Sequence, residues 1–241
     1  YYLWHDDLVG RLLLGVLVDA AERGVRVRLL LDDINLHGGE HDWVLLNAHP
    51  NVEVRVFNPF SRRAIRATQY ISRFGKVTRR MHNKSFVVDN QVAVMGGRNI
   101  GNEYFEADPQ ITFGDLDAMT IGPVVSEVSD SFDEYWNNEL AYPVSTLARR
   151  LPDAGEVERH RNLLREFADQ NRESVYVSAL ATSQFAADLR SNALPFFWGE
   201  AHLVVDLPKK LTAHRDRVDL QLISQISPQF TDAQAEVIII S

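Results

Sequence analysis

The apolar positions of this chain change period several times, and each change marks an element. Tyr1-Tyr2-Leu3-Trp4 reads as an aromatic strand. From Leu8 to Arg23 the period is helical, with Asp6 or Asp7 placed to cap the first turn and Gly24 to end it in a left-handed residue. Val25 to Leu31 alternates as a strand and stops at Asp32-Asp33. Helix, strand, a short helical piece at Trp43 to Leu46 and a second strand at Val52 to Phe57, closed by Asn58-Pro59, are the local signature of a parallel sheet covered by helices.

Ser61 to Lys76 shows no clear period and fits a rim loop or a short helix. Ser85 to Val88 and Gln91 to Met95 are two short strands joined at Asp89-Asn90, a pair suited to a tight hairpin. Asp117 to Ile121 is a further strand. Pro123 to Leu140 is an amphipathic helix with Val124, Val128, Phe132 and Trp136 on one core-facing stripe. Glu156 to Asn171 is a second helix with Leu163, Leu164 and Phe167 on one side. Phe196-Phe197-Trp198 is apolar enough to be buried, or to face lipid if exposed. Leu203 to Asp206 reads as a strand, Val218 to Ile226 as a helix, Thr231 or Asp232 as the cap of a short helix, and Ala235 to Ser241 as a last strand. No internal repeat or low-complexity tract occurs. The expected division is a domain over 1–145 and a helical, linking region over 146–241. An aromatic strand already under way at the start and a strand just begun at the end suggest a piece of a longer protein.

Composition narrows the class. With 45% hydrophobic residues in 241, a substantial core is possible. The longest apolar runs, Leu12 to Val18 and Val237 to Ile240, fall far short of the roughly 20 residues that cross a bilayer. The absence of cysteine excludes disulfides and thiolate metal sites. A net charge of −8 argues against a nucleic-acid coating protein. Yet from Val54 to Val88 there is no acid, while Arg55, Arg62, Arg63, Arg66, Arg73, Lys76, Arg79, Arg80 and Lys84 are basic. That segment is either a solvated loop or the wall of a groove for an anionic substrate.

Three constellations offer chemistry. Asp32 and Asp33 stand at a strand's carboxyl end, where open α/β sheets place ligands, although acids there also cap turns. His37, Glu40, His41 and His49 could suggest a metal, but Gly38-Gly39 breaks the helix that would align His37 with His41, so no metal site is expected. The third lies in Arg80-Met81-His82-Asn83-Lys84 and, after the hairpin, Gly96-Gly97-Arg98-Asn99. Residues two apart on a strand share a face, so His82 and Lys84 present a nucleophile and a cation together. Gly96 and Gly97 permit close backbone approach, and Asn99 supplies an amide donor.

His82, Lys84 and Asp89, followed after six residues by Gly96, Gly97 and Asn99, resemble the H-x-K-x4-D and G-S-x-N signature of the phospholipase D superfamily. Met95 to Phe105, Tyr1 to Asp7, Asn51 to Phe60 and Gly114 to Pro123 are similar to its bacterial cardiolipin synthase branch. Gly97 stands where the signature has serine. The resemblance implies an α/β fold, a mixed sheet flanked by helices in an α/β/α sandwich, forming one half of a two-copy fold. It implies no cofactor and no metal, with His82 as the nucleophile that forms a phosphohistidine and with Lys84 and Asn99 on the nonbridging oxygens. Asp115, or Asp117 as the nearer competitor, would orient the imidazole. Asp89, Gly96 and Gly97 would be structural, and Arg79, Arg80 and Glu103 would contact substrate. His160, His202 and His214 each lack a lysine two residues on, so the second signature must come from further chain or from a homodimer partner. The implied activity is phosphatidyl transfer among phospholipids, phosphatidylglycerol among them, by a peripheral protein of the bacterial cytoplasmic membrane. A hydrolytic phospholipase D or nuclease, or a non-catalytic half that binds anionic lipid, are the alternatives.

Overall fold

A computed structural model describes residues 1–35, 40–59, 80–211 and 222–236. Helix α1 (Leu8–Glu22) is capped by Asp7, whose Oδ1 accepts the Gly10 N–H at 3.0 Å, and Gly24 follows at φ 95°. The chain then enters β1 (Val27–Asp32), two residues later than the alternation suggested, continues through α2 (Glu40–Asn47), and returns as β2 (Val52–Phe57) parallel to β1, with Val27 opposite Val52 and Asp32 opposite Phe57. Strands β3 (Ser85–Val88), β4 (Val92–Gly96) and β5 (Asp117–Ile121) form an antiparallel meander. Its hairpin corner is Asp89-Asn90, both with positive φ (51° and 54°), the conformation that a two-residue turn requires and that Asp and Asn tolerate.

Helix α3 (Val124–Trp136) joins the two sheets. Val125 and Val128 pack on Ala93, Val87 and Met95 of the meander, whereas Tyr135 and Trp136 pack with Leu30, Phe57 and Met81 on one face of the β1–β2 pair. The other face, Leu29, Leu31, Val52, Val54 and Val56, is covered by α1 and α2, so the β1–β2 sheet lies between helical layers. The helix ends at Trp136, earlier than expected, and the chain turns into β6 (Ala141–Pro143), antiparallel to β2. This three-residue strand carries too little alternation to announce itself, and its proline is tolerated because β6 is an edge.

Helix α4 (Ala154–Asn171) begins in a capping box between Asp153 and Glu156. It packs on α1, where Arg161 and Arg165 both pair with Glu22. Leu164 joins the main core, but Leu163, expected on the same side, is 62% exposed, because neighbouring positions on a helix diverge by about 100°. Two further helices, α5 (Val175–Thr182) and α6 (Gln184–Arg190), were not anticipated; serines 174 and 183 cap them. Phe197 and Trp198 are exposed (97% and 80%), contrary to the burial reading. Leu203 to Asp206 is not a strand: Glu127 Oε2 takes the Leu203 N–H, and Tyr135 Oη and Gln225 Nε2 donate to the carbonyls of Asp206 and Val205, so side chains replace a strand neighbour. In α7 (Leu222–Asp232), Thr231 and Asp232 close the helix instead of opening one; the Thr231 hydroxyl bonds back to the Ser227 carbonyl. The last strand, apart from Ala235 and Glu236, lies outside the described residues, as do His37, His214 and 60–79.

Tyr1 to His5 is not a regular strand, yet it links the end of β1 to the segment that follows β4. On one side Asp32 N–H donates to the Tyr1 carbonyl (3.0 Å), and on the other Ile100 N–H donates to Leu3 and His5 N–H to Ile100 (3.1 and 2.8 Å). Trp4 and Ile100 form a parallel bridge there, and both side chains enter the main core.

Candidate active site

The candidate nucleophile is delivered by a short irregular run, Arg80 to Lys84, just before β3. Lys84 Nζ lies 2.9 Å from His82 Nδ1 and donates to the His82 carbonyl at 2.8 Å. The pairing expected from two-residue spacing is thus present, although it is made by a turn of backbone ahead of the strand. Tyr2 covers the imidazole, ring centroids 4.4 Å apart, and the Lys84 ammonium sits 5.7 Å from the centre of the same tyrosine ring. Lys84 is 9% exposed. Burial lowers its pKa, because an ammonium is hydrated less well there, and the charge of Asp115 acts in the opposite direction to keep it protonated.

Of the two acids considered for orienting this pair, Asp117 is held by Arg98 Nη1 at 2.8 Å. Asp115 instead lies against Gly97: a Cβ there would meet Asp115 Oδ1 at 2.0 Å. Gly96 is equally close to Asp117, at 1.7 Å from a Cβ to Oδ1. The two glycines therefore make room for two carboxylates, a more specific role than general access to a ligand.

Asn99 is buried (5% exposed). Its Oδ1 accepts the Leu3 N–H at 3.1 Å and its Nδ2 donates to the Tyr104 hydroxyl at 3.0 Å. The second Nδ2 hydrogen is the one that can serve a ligand. Tyr104 packs on Phe113, and Arg98 Nε donates to the Tyr104 carbonyl (3.0 Å), so the amide rests on a supported platform. Arg80, a candidate substrate contact, is turned inward: Nη1 donates to Asp32 Oδ1 at 3.3 Å and to the Asn58 carbonyl at 3.0 Å. Glu103 pairs with His5 (3.0 Å), and Arg79 lies outside the described residues.

His5, Asp7 and Glu103 bring one donor atom each within 4.8 Å of one another. The Asp7 carboxylate already accepts the N–H groups of Gly10 and Asn102, which assigns it to capping. Tyr2 and Tyr104 are site residues that the pattern alone missed. Tyr2 was legible only as part of an aromatic strand, and Tyr104 only as text shared with the family. Asp32 was noticed as a possible ligand site, but the fold buries it.

Residues 1–136 match the family model described as cardiolipin synthase, PLD-like domain. The chain is similar to cardiolipin synthase C of Escherichia coli (strain K12), 44% identical over 210 residues, which covers 87% of this chain and 44% of that protein. It is also similar to an uncharacterized protein of Helicobacter pylori (strain ATCC 700392 / 26695), 35% identical over 241 residues, covering 96% of this chain and 45% of that protein. The chain thus spans a little under half the length of these relatives. Among solved structures it resembles the phosphatidylserine synthase of Haemophilus influenzae Rd KW20, with 20% identity and a TM-score of 0.41 over 75% of this chain and 37% of that one.

Proposed function

The chain belongs to the phospholipase D superfamily, in its cardiolipin synthase-like domain family, and on that basis we propose that it supplies the nucleophilic half of a phosphatidyltransferase site. The observation that carries the reading is the His82–Lys84 pair, in which an exposed imidazole stacks on Tyr2 while the ammonium beside it is buried and feels the charge of Asp115. A phospholipid phosphodiester is anionic, and a half-dry site with one fixed ammonium and one amide hydrogen suits its nonbridging oxygens.

Lys84 Nζ faces Nδ1, and when the ammonium donates there a neutral ring carries its proton on Nε2. Incoming phosphoryl oxygens compete for the same ammonium. Once Lys84 turns to them, the ring changes tautomer by exchange with water, Nε2 giving up its proton and Nδ1 taking one with Asp115 as its acceptor, and the Nε2 lone pair faces phosphorus. The N–P bond forms as the bond to the leaving alkoxide breaks, and a phosphatidyl-histidine results. The leaving oxygen needs a proton from a general acid. A second histidine, from further chain or a partner copy, would supply it and later deprotonate the acceptor hydroxyl. Phosphatidylglycerol as acceptor would give cardiolipin. Asp89, Gly96 and Gly97 shape the turn and the acid seats, and Glu103 supports the adjacent loop.

No helix among the described residues is long and apolar enough to cross a membrane. We propose that this part of the protein meets its substrate at the surface of the bacterial cytoplasmic membrane. The test uses the protein at its full natural length with phosphatidylglycerol labelled at phosphorus. Wild type should yield an acid-labile phosphoenzyme and cardiolipin, and His82→Ala neither. An undiminished adduct in His82→Ala would place the nucleophile elsewhere, and phosphatidic acid as the sole product would make the enzyme a hydrolase.

A further inference from the structure

His82 lies in an irregular run, held on its own side by Lys84 and Tyr2. A further hold on that run lies at the end of β1. Asp32 is 1% exposed, and its two oxygens face three donors: Ile34 N–H at 3.0 Å and Arg80 Nη1 at 3.3 Å on Oδ1, and Met81 N–H at 3.2 Å on Oδ2. Met81 immediately precedes His82, and its side chain is buried with Leu30, Phe57, Tyr135 and Trp136. Arg80 Nη1 also reaches the Asn58 carbonyl, just past the end of β2, so the Arg80–Met81 dipeptide is pinned across the ends of two parallel strands.

The backbone of the same residue holds the opposite wall. Asp32 N–H donates to the Tyr1 carbonyl at 3.0 Å, and the next residue, Tyr2, provides the ring that covers His82. One residue therefore ties down both the irregular run that carries the nucleophile and the segment that carries its stacking partner. Filling this corner required no charge. Taking a carboxylate out of water costs several kcal/mol unless its lone pairs are met, and an apolar residue would pack a strand end without that cost. An apolar residue would, however, leave the Met81 N–H and the Arg80 guanidinium buried without their acceptor.

We infer that Asp32 is a positioning residue for the reaction, fixing the His82 imidazole against Tyr2 through the Met81 amide and Arg80. The inference rests on the reading of His82 as nucleophile. It assigns to a buried strand end the tolerance that in-line attack demands, since a displacement of about 1 Å can cost on the order of a hundredfold in rate.

The test compares Asp32→Asn and Asp32→Ala with wild type in the full-length protein by three measurements: thermal unfolding, steady-state transfer from phosphatidylglycerol vesicles, and the nitrogen-15 and proton shifts of the His82 ring, assigned with His82→Ala. Asn keeps the shape and one oxygen acceptor but loses the charge that holds Arg80. The expected result for Asn is a folded protein whose kcat falls roughly tenfold to a hundredfold, with KM within about twofold and displaced His82 ring signals; Ala should be worse in each. A folded Asn variant with unchanged kcat and unchanged His82 signals overturns the proposal. So does an Asn variant that fails to fold, since the residue would then serve the fold at large. The ring signals report positioning whether or not a phosphoenzyme forms. Failure of the transfer reaction itself, seen as no phosphoenzyme in wild type, is thus distinguishable from failure of this inference.

Discussion

Replacing Gly97 by serine, the residue usual at this place in the superfamily signature, should impair the site. Gly97 does not have a positive φ, so its backbone accepts a side chain, and the obstacle is space. A Cβ would stand 2.0 Å from Asp115 Oδ1 and 2.7 Å from Cγ, where ordinary contact begins at 3.4 Å, so the carboxylate must withdraw by about 1.4 Å. The displaced group is the end of a side chain in a loop, which can rotate away at little cost to the fold. What suffers is the support that Asp115 gives the Lys84 ammonium. Asp115 acts on Lys84 from beyond ion-pair contact, so the starting separation is taken as roughly 5 Å: at an effective dielectric of 20, two unit charges interact by about 3.3 kcal/mol there and by about 2.6 kcal/mol at roughly 6.4 Å. A loss of about 0.7 kcal/mol in the transition state corresponds to roughly a threefold fall in kcat. The assay is phosphatidyl transfer by the full-length Gly97→Ser and Gly97→Ala variants, with denaturant unfolding alongside. Both should slow by a similar factor, with stability changed by less than about 1 kcal/mol, the usual range away from a core or a cap. A serine variant as fast as wild type, or one that works where alanine does not, would show that the hydroxyl is welcome and that the acid has no need of the space.

Two further outcomes concern stability. Burial outweighs the attraction of Arg80 and, together with the neighbouring Asp33, lifts the Asp32 carboxyl to a pKa of about 6, against 3.8 ordinarily. The folded state then holds the proton over a range where the unfolded chain has lost it. The stabilising contribution is full below pH 4 and is lost as pH rises through 6, by on the order of 3 kcal/mol for a shift of about two units. Asp32→Asn should flatten that part of the stability curve in urea titrations between pH 4 and 7, and an unaltered slope would place the proton elsewhere. At α4, Asp153→Ala removes the acceptor for the Glu156 N–H (2.9 Å) and should cost about 1 kcal/mol, read as a lower urea midpoint at unchanged slope. A midpoint that does not move would mean that packing of α4 on α1 sustains the helix without its cap.

Much of the fold followed from local pattern. The helical period at Leu8 to Glu22, the strands at Val52 to Phe57 and Ser85 to Val88, and the Asp89-Asn90 corner all rest on interactions between near neighbours, which sequence records directly. The elements that were missed lack such a record. β6 is three residues long and exists because β2 has an open edge, and Leu203 to Asp206 stays irregular because the side chains of Glu127, Tyr135 and Gln225 meet its backbone groups. Leu163 and Leu164 are both apolar, yet only the position of α1 decides which of them is covered.

The candidate site divides along the same line. Sequence by itself singled out the candidate side chains: a histidine and a lysine two apart, an asparagine after two glycines, and a short list of acids. Tertiary structure alone decided which acid faces which cation. Asp117 is taken by Arg98 while Asp115 lies over Gly97, although the two are separated by a single residue. It also decided that Arg80 turns inward to Asp32, that Asn99 leans on Tyr104, and that Tyr2, eighty residues from His82, covers its ring. The physical reason is that charge pairing, stacking and burial depend on separations of a few ångströms between segments remote in the chain. Those separations depend on junctions such as Tyr1 to His5, which ties the end of β1 to the segment after β4 and which no local pattern encodes.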